Sequence, residues 1–119
     1  MAAQTAANKT LRFLPAEKAR FGLCHFEKFA VKNDSAERER IGELEGFIID
    51  PPARKIRYVV VHPRGMFSRP RLVPLPGARI DAQSEALLVD DSLSRCEAFD
   101  EARYPELSDD DVITALFAA

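Results

Sequence analysis

Residues 40–65, RIGELEGFIIDPPARKIRYVVVHPRG, decide the fold of this chain together with residues 69–90, RPRLVPLPGARIDAQSEALLVD. Short apolar runs rich in β-branched residues alternate there with Pro, Gly and Asp at close intervals. Runs of this kind are typical of strands joined by tight turns. The segment therefore predicts a mainly β protein, a small antiparallel barrel or sandwich.

Two glycines and a proline interrupt or end the predicted strands. Gly42 and Gly46 interrupt the longest strand, where glycine usually marks a bulge or a sharp bend. Asp50 opens a Pro-rich turn, and Pro74 ends a strand because proline has no N–H for the ladder. The predicted strands are 24–34, 40–50, 56–62, 72–73, 80–81 and 86–89, with a turn at Gln83–Ser84 before the last one.

The two ends of the chain differ from this central region. Residues 1–21 predict a partly disordered N-terminal arm, whose second half is either extended or a short turn. At the other end, Ser108 and Asp111 have the spacing of a capping box. A C-terminal helix of about two turns is predicted after Ser108. The predicted division is an arm at 1–21, a barrel at 22–91, and an acidic extension with a short helix at 92–119.

Composition indicates a single globular domain, because 46% of residues are hydrophobic and 30% are charged. No apolar run approaches the roughly 20 residues that span a bilayer. The first residues lack the pattern of a secretory signal, so a cytoplasmic location is expected. Cys24 and Cys96 are then expected to be reduced thiols that pack in the interior.

Charge is distributed unevenly along the chain. Residues 51–80 contain seven basic side chains and no acidic one, whereas residues 81–119 contain eleven acidic side chains and two basic ones. Such a division either serves a partner or lets the acidic end of the chain lie across the basic hairpin.

A search for catalytic and metal-binding patterns finds little. Cys24 and His25 are adjacent, so on a strand their side chains point to opposite faces. Whether Cys96 and His62 form a catalytic thiol–imidazole dyad depends on whether the fold brings them together. Asp109–Asp111 lacks the alternating spacing of a calcium loop and is better explained by helix capping. No clustered metal ligands or glycine-rich phosphate loop occur, so neither a metal nor another cofactor is expected, and the chain is predicted not to be an enzyme.

Nucleic-acid binding has one candidate region, the hairpin from Arg54 to Arg71. Arginines alternate there with aromatic residues, and small β-domains bind single strands by stacking and phosphate contacts. The acidic sequence pI of about 5.7 weighs against this use. The candidate partner-binding residues are Arg54, Arg57, Arg64, Arg69, Arg71 and Phe67.

The same segments resemble the PRC-barrel family, which is named for the cytoplasmic domain of the photosynthetic reaction centre H subunit. The resemblance rests on Ile41-Gly42, Gly46, Ile49-Asp50, Val59-Val60-Val61 and Val73-Pro74-Leu75, which occur in the order of the family pattern. It implies a six-stranded antiparallel barrel that binds proteins or assembles complexes and has no shared catalytic residues.

Two functions are consistent with these observations. The first is a non-enzymatic protein-interaction or assembly module that self-associates, for example as a homodimer. Exposed strand edges and the apolar side of the C-terminal helix favour it. The alternative is an RNA- or ribosome-associated factor that uses the basic 54–71 hairpin.

Overall fold

The computed structural model describes residues 11–21, 24–26, 29–34, 39–53, 55–65, 69–75, 77–81, 83–89 and 95–108. This part of the chain is mainly β. Its strands are β1 (Arg12–Pro15), β2 (Arg20–Phe21), β3 (Cys24–His25), β4 (Ala30–Asn33), β5 (Arg40–Asp50), β6 (Lys55–Pro63), β7 (Arg71–Pro74), β8 (Ala78–Asp81), β9 (Ala86–Val89) and β10 (Glu97–Ala98). Three-residue 3-10 turns follow at Ala16–Lys18 and Glu101–Arg103.

The long β5–β6 hairpin is the centre of the main sheet. Strand order is β10-β7-β6-β5-β4-β9-β8, and β1 also pairs with β5. The edge of β5 opposite β6 is shared, because β4 pairs with its first half and β1 with its second half. Between these halves the β5–β6 register shifts at Glu45, an extra residue in the ladder. Such a bulge bends the strand, so β5 can serve both neighbours.

The sheet curls strongly, although its described strands do not close into a barrel. Pro74 and Ala78, the end of β7 and the start of β8, are four residues apart, which allows at most about 15 Å between their Cα atoms. In a flat sheet β7 and β8 would lie about 24 Å apart, since neighbouring strands are spaced by about 4.8 Å. Only a curled sheet lets this short connection span the two strands.

Strand direction explains why no ladder closes the sheet among the described residues. The pairings give β7 and β8 the same direction, so closure would need a parallel pair joined by three residues. Parallel neighbours need a crossover of a dozen residues or more. The free edge of β7 pairs with β10 instead.

One feature of the predicted barrel needs correction: the sheet is not purely antiparallel, because β4 and β9 pair in parallel. The described sheet has eight strands. Six of them, β4 to β9, lie within the predicted barrel at 22–91, and β1 and β10 join it from outside. Residues 12–15, in the half of the arm predicted to be either extended or a short turn, are extended and form β1.

The predicted strand over 24–34 is also wrong as one element. The Phe29 N–H donates to the Phe26 carbonyl at 3.1 Å, which makes a turn. Both rings are buried and lie 4.9 Å apart, whereas strand alternation would place residues 26 and 29 on opposite faces. The predicted C-terminal helix lies at residues 109–119, outside the described residues.

The concave face of the sheet encloses the larger of two apolar cores. Its members come from the N-terminal turns and from alternate positions of the strands. Phe26 and Phe47 meet edge to face at 5.2 Å in its centre. The fully buried β9 also contributes Leu87 and Val89. This core takes alternate members of the apolar runs in residues 40–65 and 69–90.

The second apolar core lies on the outer face of the sheet, beneath residues 95–108, which we call the C-terminal strap. Ile48, Val60 and Leu72 point outward there and are covered by Tyr104 of the strap. The ring of Phe99 lies 5.8 Å from that of Tyr104 and 5.1 Å from that of Phe13. The part of the outer face under the strap is therefore shielded from water, whereas one face of a small antiparallel sheet is often solvated.

Backbone hydrogen bonds attach the strap at both of its ends. At one end β10 pairs with β7. At the other, the Phe13 N–H donates to the Pro105 carbonyl at 2.9 Å, and the Leu107 N–H donates to the Phe13 carbonyl at 2.8 Å. The strap thus joins β7 to β1 across the outer face and is an integral part of the fold.

Tyr104 should make stability sensitive to alkaline pH. Burial in the outer core, together with the negative charge of Glu97, raises the pKa of Tyr104. A raised pKa in the folded state means that the fold favours the neutral phenol. The resulting contribution of Tyr104 to the free energy of unfolding is complete below the unfolded-state pKa of about 10 and is lost as the pH rises through the folded-state pKa. We expect the free energy of unfolding to fall less steeply above pH 10 in Tyr104→Phe. Equal alkaline slopes in urea titrations of the two proteins would contradict this.

Candidate interaction surface

The predicted basic surface is not one continuous patch. Arg57 lies near the Asp50–Lys55 turn, and its guanidinium pairs with Asp50 at 3.1 Å. Arg64 follows the opposite end of β6, about 23 Å away at the rise of an extended strand. Arg54 and Phe67 lie outside the described residues.

The other two candidate arginines contact or approach the strap. Arg71 is half-buried, and its Nη1 donates to the Cys96 carbonyl at 3.1 Å. Arg69 is exposed and lines a cleft with Asp100 and Glu101 of the strap. The start of the acidic extension therefore lies beside the basic hairpin, and part of the positive charge faces the chain's own acidic groups.

Two shallow clefts of about 380 Å³ each share Phe13 and Glu45 in their walls. The bulge positions Glu45 there, and its carboxylate lies 3.4 Å from Nδ1 of His62. Cys96 packs against the inner core. It precedes Glu97, which pairs with Leu72, so the register places it beside Val73. His62 is thus oriented toward a carboxylate, and the geometry does not bring the Cys96 thiol to its imidazole.

The residues predicted to define the fold lie at bends and strand ends. Gly42 and Gly46 lie beside register shifts of β5. A Cβ on Gly42 would come within 2.5 Å of the His62 carbonyl oxygen. Asp50 and Pro74 are the last residues of β5 and β7.

Sequence reasoning did not identify the corner between β7 and β8 as a surface. Leu75 in the turn and Ile80 in β8 are the exposed large hydrophobic residues of the described chain, with 38% and 46% of their surface accessible. Ile80 pairs with Leu87 and so lies on the face that carries the inner core. The signal was present in the sequence, where Ile80 stands between Arg79 and Asp81 in a short strand after Pro and Gly.

Asp34 pairs with Arg79 of this corner at the surface. Two guanidinium nitrogens of Arg79 donate to the two carboxylate oxygens of Asp34 at 2.9 and 3.1 Å. Hydrogen bonding to Asp34 raises the pKa of Arg79, with its charge and that of Asp81 adding to the effect. Because the pair connects β8 to the end of β4, it orients Arg79 at the rim of the exposed corner.

Within the described residues, no helix is long and apolar enough to cross a membrane, and no three His, Cys, Asp or Glu side chains are grouped as metal ligands would be. Comparison with curated proteins gives no match. A family model of the PRC-barrel domain matches residues 30–94, which is more than half of the chain and extends from β4 past β9. With its curled sheet built on the β5–β6 hairpin, this chain belongs to the PRC-barrel domain family.

Proposed function

We propose that this PRC-barrel chain is a non-enzymatic protein-interaction module that assembles with its partner through the β7–β8 corner. The observation that carries the proposal is the exposure of Leu75 and Ile80, whereas the other large hydrophobic side chains whose burial the structure describes are buried or half-buried. An exposed apolar side chain on an edge strand, such as Ile80, adds contact area when a partner pairs with that edge.

The backbone of β8 adds a second means of recognition. Among the described residues, β8 pairs with β9 on one side and ends the sheet on the other. An edge of this kind presents N–H and C=O groups to which an extended segment can pair. Together, ladder hydrogen bonds and two partly exposed apolar side chains support a contact of modest area, as in transient complexes.

The predicted alternative, RNA or ribosome binding through the basic hairpin, is less well supported by this geometry. Arg57 and Arg64 lie at opposite ends of β6, and Arg57 is paired with Asp50. Nucleic-acid binding would depend on Arg64 and Arg69, which are exposed at the other end of the hairpin. A cytoplasmic location with reduced thiols fits either proposal.

The test is the apparent mass of the tagged chain in an extract of its native host, at its natural expression level. We expect a complex heavier than the 13.3 kDa chain, and a shift toward the free chain in the double variant Leu75→Lys, Ile80→Lys. The matched control is Arg64→Glu, Arg69→Glu, which changes two exposed residues at the other end of β7.

The outcomes separate the two functions. A mass that falls in the corner variant and not in the arginine variant supports the protein-interaction module. A complex that survives the corner variant but is lost after ribonuclease treatment or in the arginine variant would replace it with the RNA-associated function.

A further inference from the structure

We infer that the partner at the β7–β8 corner is a second copy of this chain, whose β8 pairs antiparallel with the first around a two-fold axis at Ile80. This inference rests on the proposed function and names its partner. It follows from the order of charges in β8, from the position of β8 at the end of the sheet that the described residues form, and from the face on which Ile80 lies.

The sequence of β8 is complementary to itself in this register. A two-fold axis at Ile80 places Arg79 opposite Asp81 of the second copy, and Asp81 opposite Arg79 of the second copy. Opposite charges directly across antiparallel strands are favourable, and like charges are unfavourable. Centring the axis on Arg79 or on Asp81 instead would place two like charges face to face, so charge selects the Ile80 register.

The existing contacts of Arg79 prepare it for this role. Asp34 fixes the guanidinium through two hydrogen bonds, which leaves its orientation defined before any partner arrives. A second carboxylate beside the same guanidinium forms a charge-alternating cluster, and Asp81 of the same chain already acts on Arg79 electrostatically. Little side-chain freedom is then lost on pairing.

The apolar contact is also symmetric. Ile80 has 46% of its surface exposed and lies on the same face as Leu87 of the inner core. In the two-fold pair, Ile80 faces Ile80 of the second copy, which extends the apolar face from one sheet into the next. Since β8 has four residues, the pair is short, and a weak, concentration-dependent dimer is expected.

The other end of the sheet lacks these properties. β10 has two residues, and Glu97 there lies 3.7 Å from Arg103 of the strap. No exposed large apolar side chain accompanies it among the described residues. Self-pairing therefore suits β8 better than β10.

Disulfide trapping tests the pairing and its register. In a Cys24→Ala, Cys96→Ala background, Ile80→Cys should form a covalent dimer under mild oxidation, because residues facing each other across an axis have Cα atoms within disulfide range. Asp81→Cys is the control in the same strand, since its own counterpart would lie about 8 Å away, beyond that range. Ser84→Cys, in the exposed turn that follows, controls for random collision.

We expect Ile80→Cys to cross-link at least about tenfold faster than Ser84→Cys, because pairing raises the effective thiol concentration. Equal rates for these variants, or faster trapping through Asp81→Cys, would overturn the inference. Sedimentation velocity supplies a measurement without cysteines: wild type should grow heavier with concentration and Ile80→Lys should not.

Failure here is distinguishable from failure of the proposed function. A purified wild-type chain that stays monomeric at every concentration, while the complex in extract still requires Leu75 and Ile80, removes self-pairing and leaves the interaction module in place. If the purified chain stays monomeric and the complex in extract does not require Leu75 and Ile80, both proposals are wrong.

Discussion

Removal of residues 95–119 is expected to abolish cooperative folding of this chain. Without the strap, Ile48, Val60 and Leu72 would be exposed on the outer face, although each is at most 2% accessible in the intact fold. Exposing a fully buried aliphatic side chain costs about 1.5–3 kcal/mol, so the three together approach the whole stability of a typical domain, about 5–15 kcal/mol. The deletion also leaves the edge of β7 without β10.

The matched control for this deletion removes only residues 109–119 and keeps the strap. Urea unfolding followed by circular dichroism, with binding of an apolar dye as a second readout, compares the two truncations. We expect the longer deletion to lose its transition and bind the dye, and the shorter one to keep a cooperative transition. A longer deletion that unfolds at the wild-type midpoint would show that the strap is not part of the fold.

Gly46→Ala should destabilise the fold strongly, because its added methyl group meets backbone and a packed ring. The new Cβ would collide with the Leu14 carbonyl oxygen and lie 2.7 Å from the ring of Phe13. Neither neighbour can move freely, because Leu14 pairs with Phe47 in the sheet and the Phe13 ring packs on Phe99. Overpacking of this kind costs about 1–3 kcal/mol, and we expect the upper end of that range.

The control for this substitution is Glu43→Ala on the same strand. Glu43 is exposed and pairs with Arg40 at the surface, where such ion pairs contribute little. Its unfolding midpoint should stay close to that of the wild type. An alanine at position 46 that leaves the midpoint unchanged would mean that β1 does not pack on β5 as described.

The parts of the fold that were predictable from sequence are those whose signals are local. The strands 40–50 and 86–89 agree with the structure because continuous apolar runs predict buried strands. The parallel pairing of β4 with β9 was not predictable, because it joins residues more than fifty positions apart and leaves no mark in either segment.

Tertiary packing overrode local pattern in two other places. The alternation around Phe26 and Phe29 suggested a strand, but both rings are buried in the inner core and the backbone turns between them. The packing of the strap on the outer face was not predicted, because Phe99, Tyr104 and Leu107 are scattered in an acidic segment without the period of a helix or a strand. The role of Phe99 and Tyr104 in covering the outer apolar core is evident only from the structure.

The candidate surface was only partly accessible to sequence reasoning for a similar reason. A count of arginines indicated a basic hairpin, but the strand length separates Arg57 from Arg64 and the strap approaches Arg69 and Arg71. Exposure of Ile80 depends on β8 being the last strand of the curled sheet, which follows from topology and not from composition.

The most direct test of the central claim, that the chain acts through its β7–β8 corner, is the mass of the tagged protein in native extract. We expect a complex heavier than 13.3 kDa for the wild type and a mass near that of the free chain for Leu75→Lys, Ile80→Lys. A complex of unchanged mass in the corner variant, with that variant folded as judged by its urea transition, would contradict it.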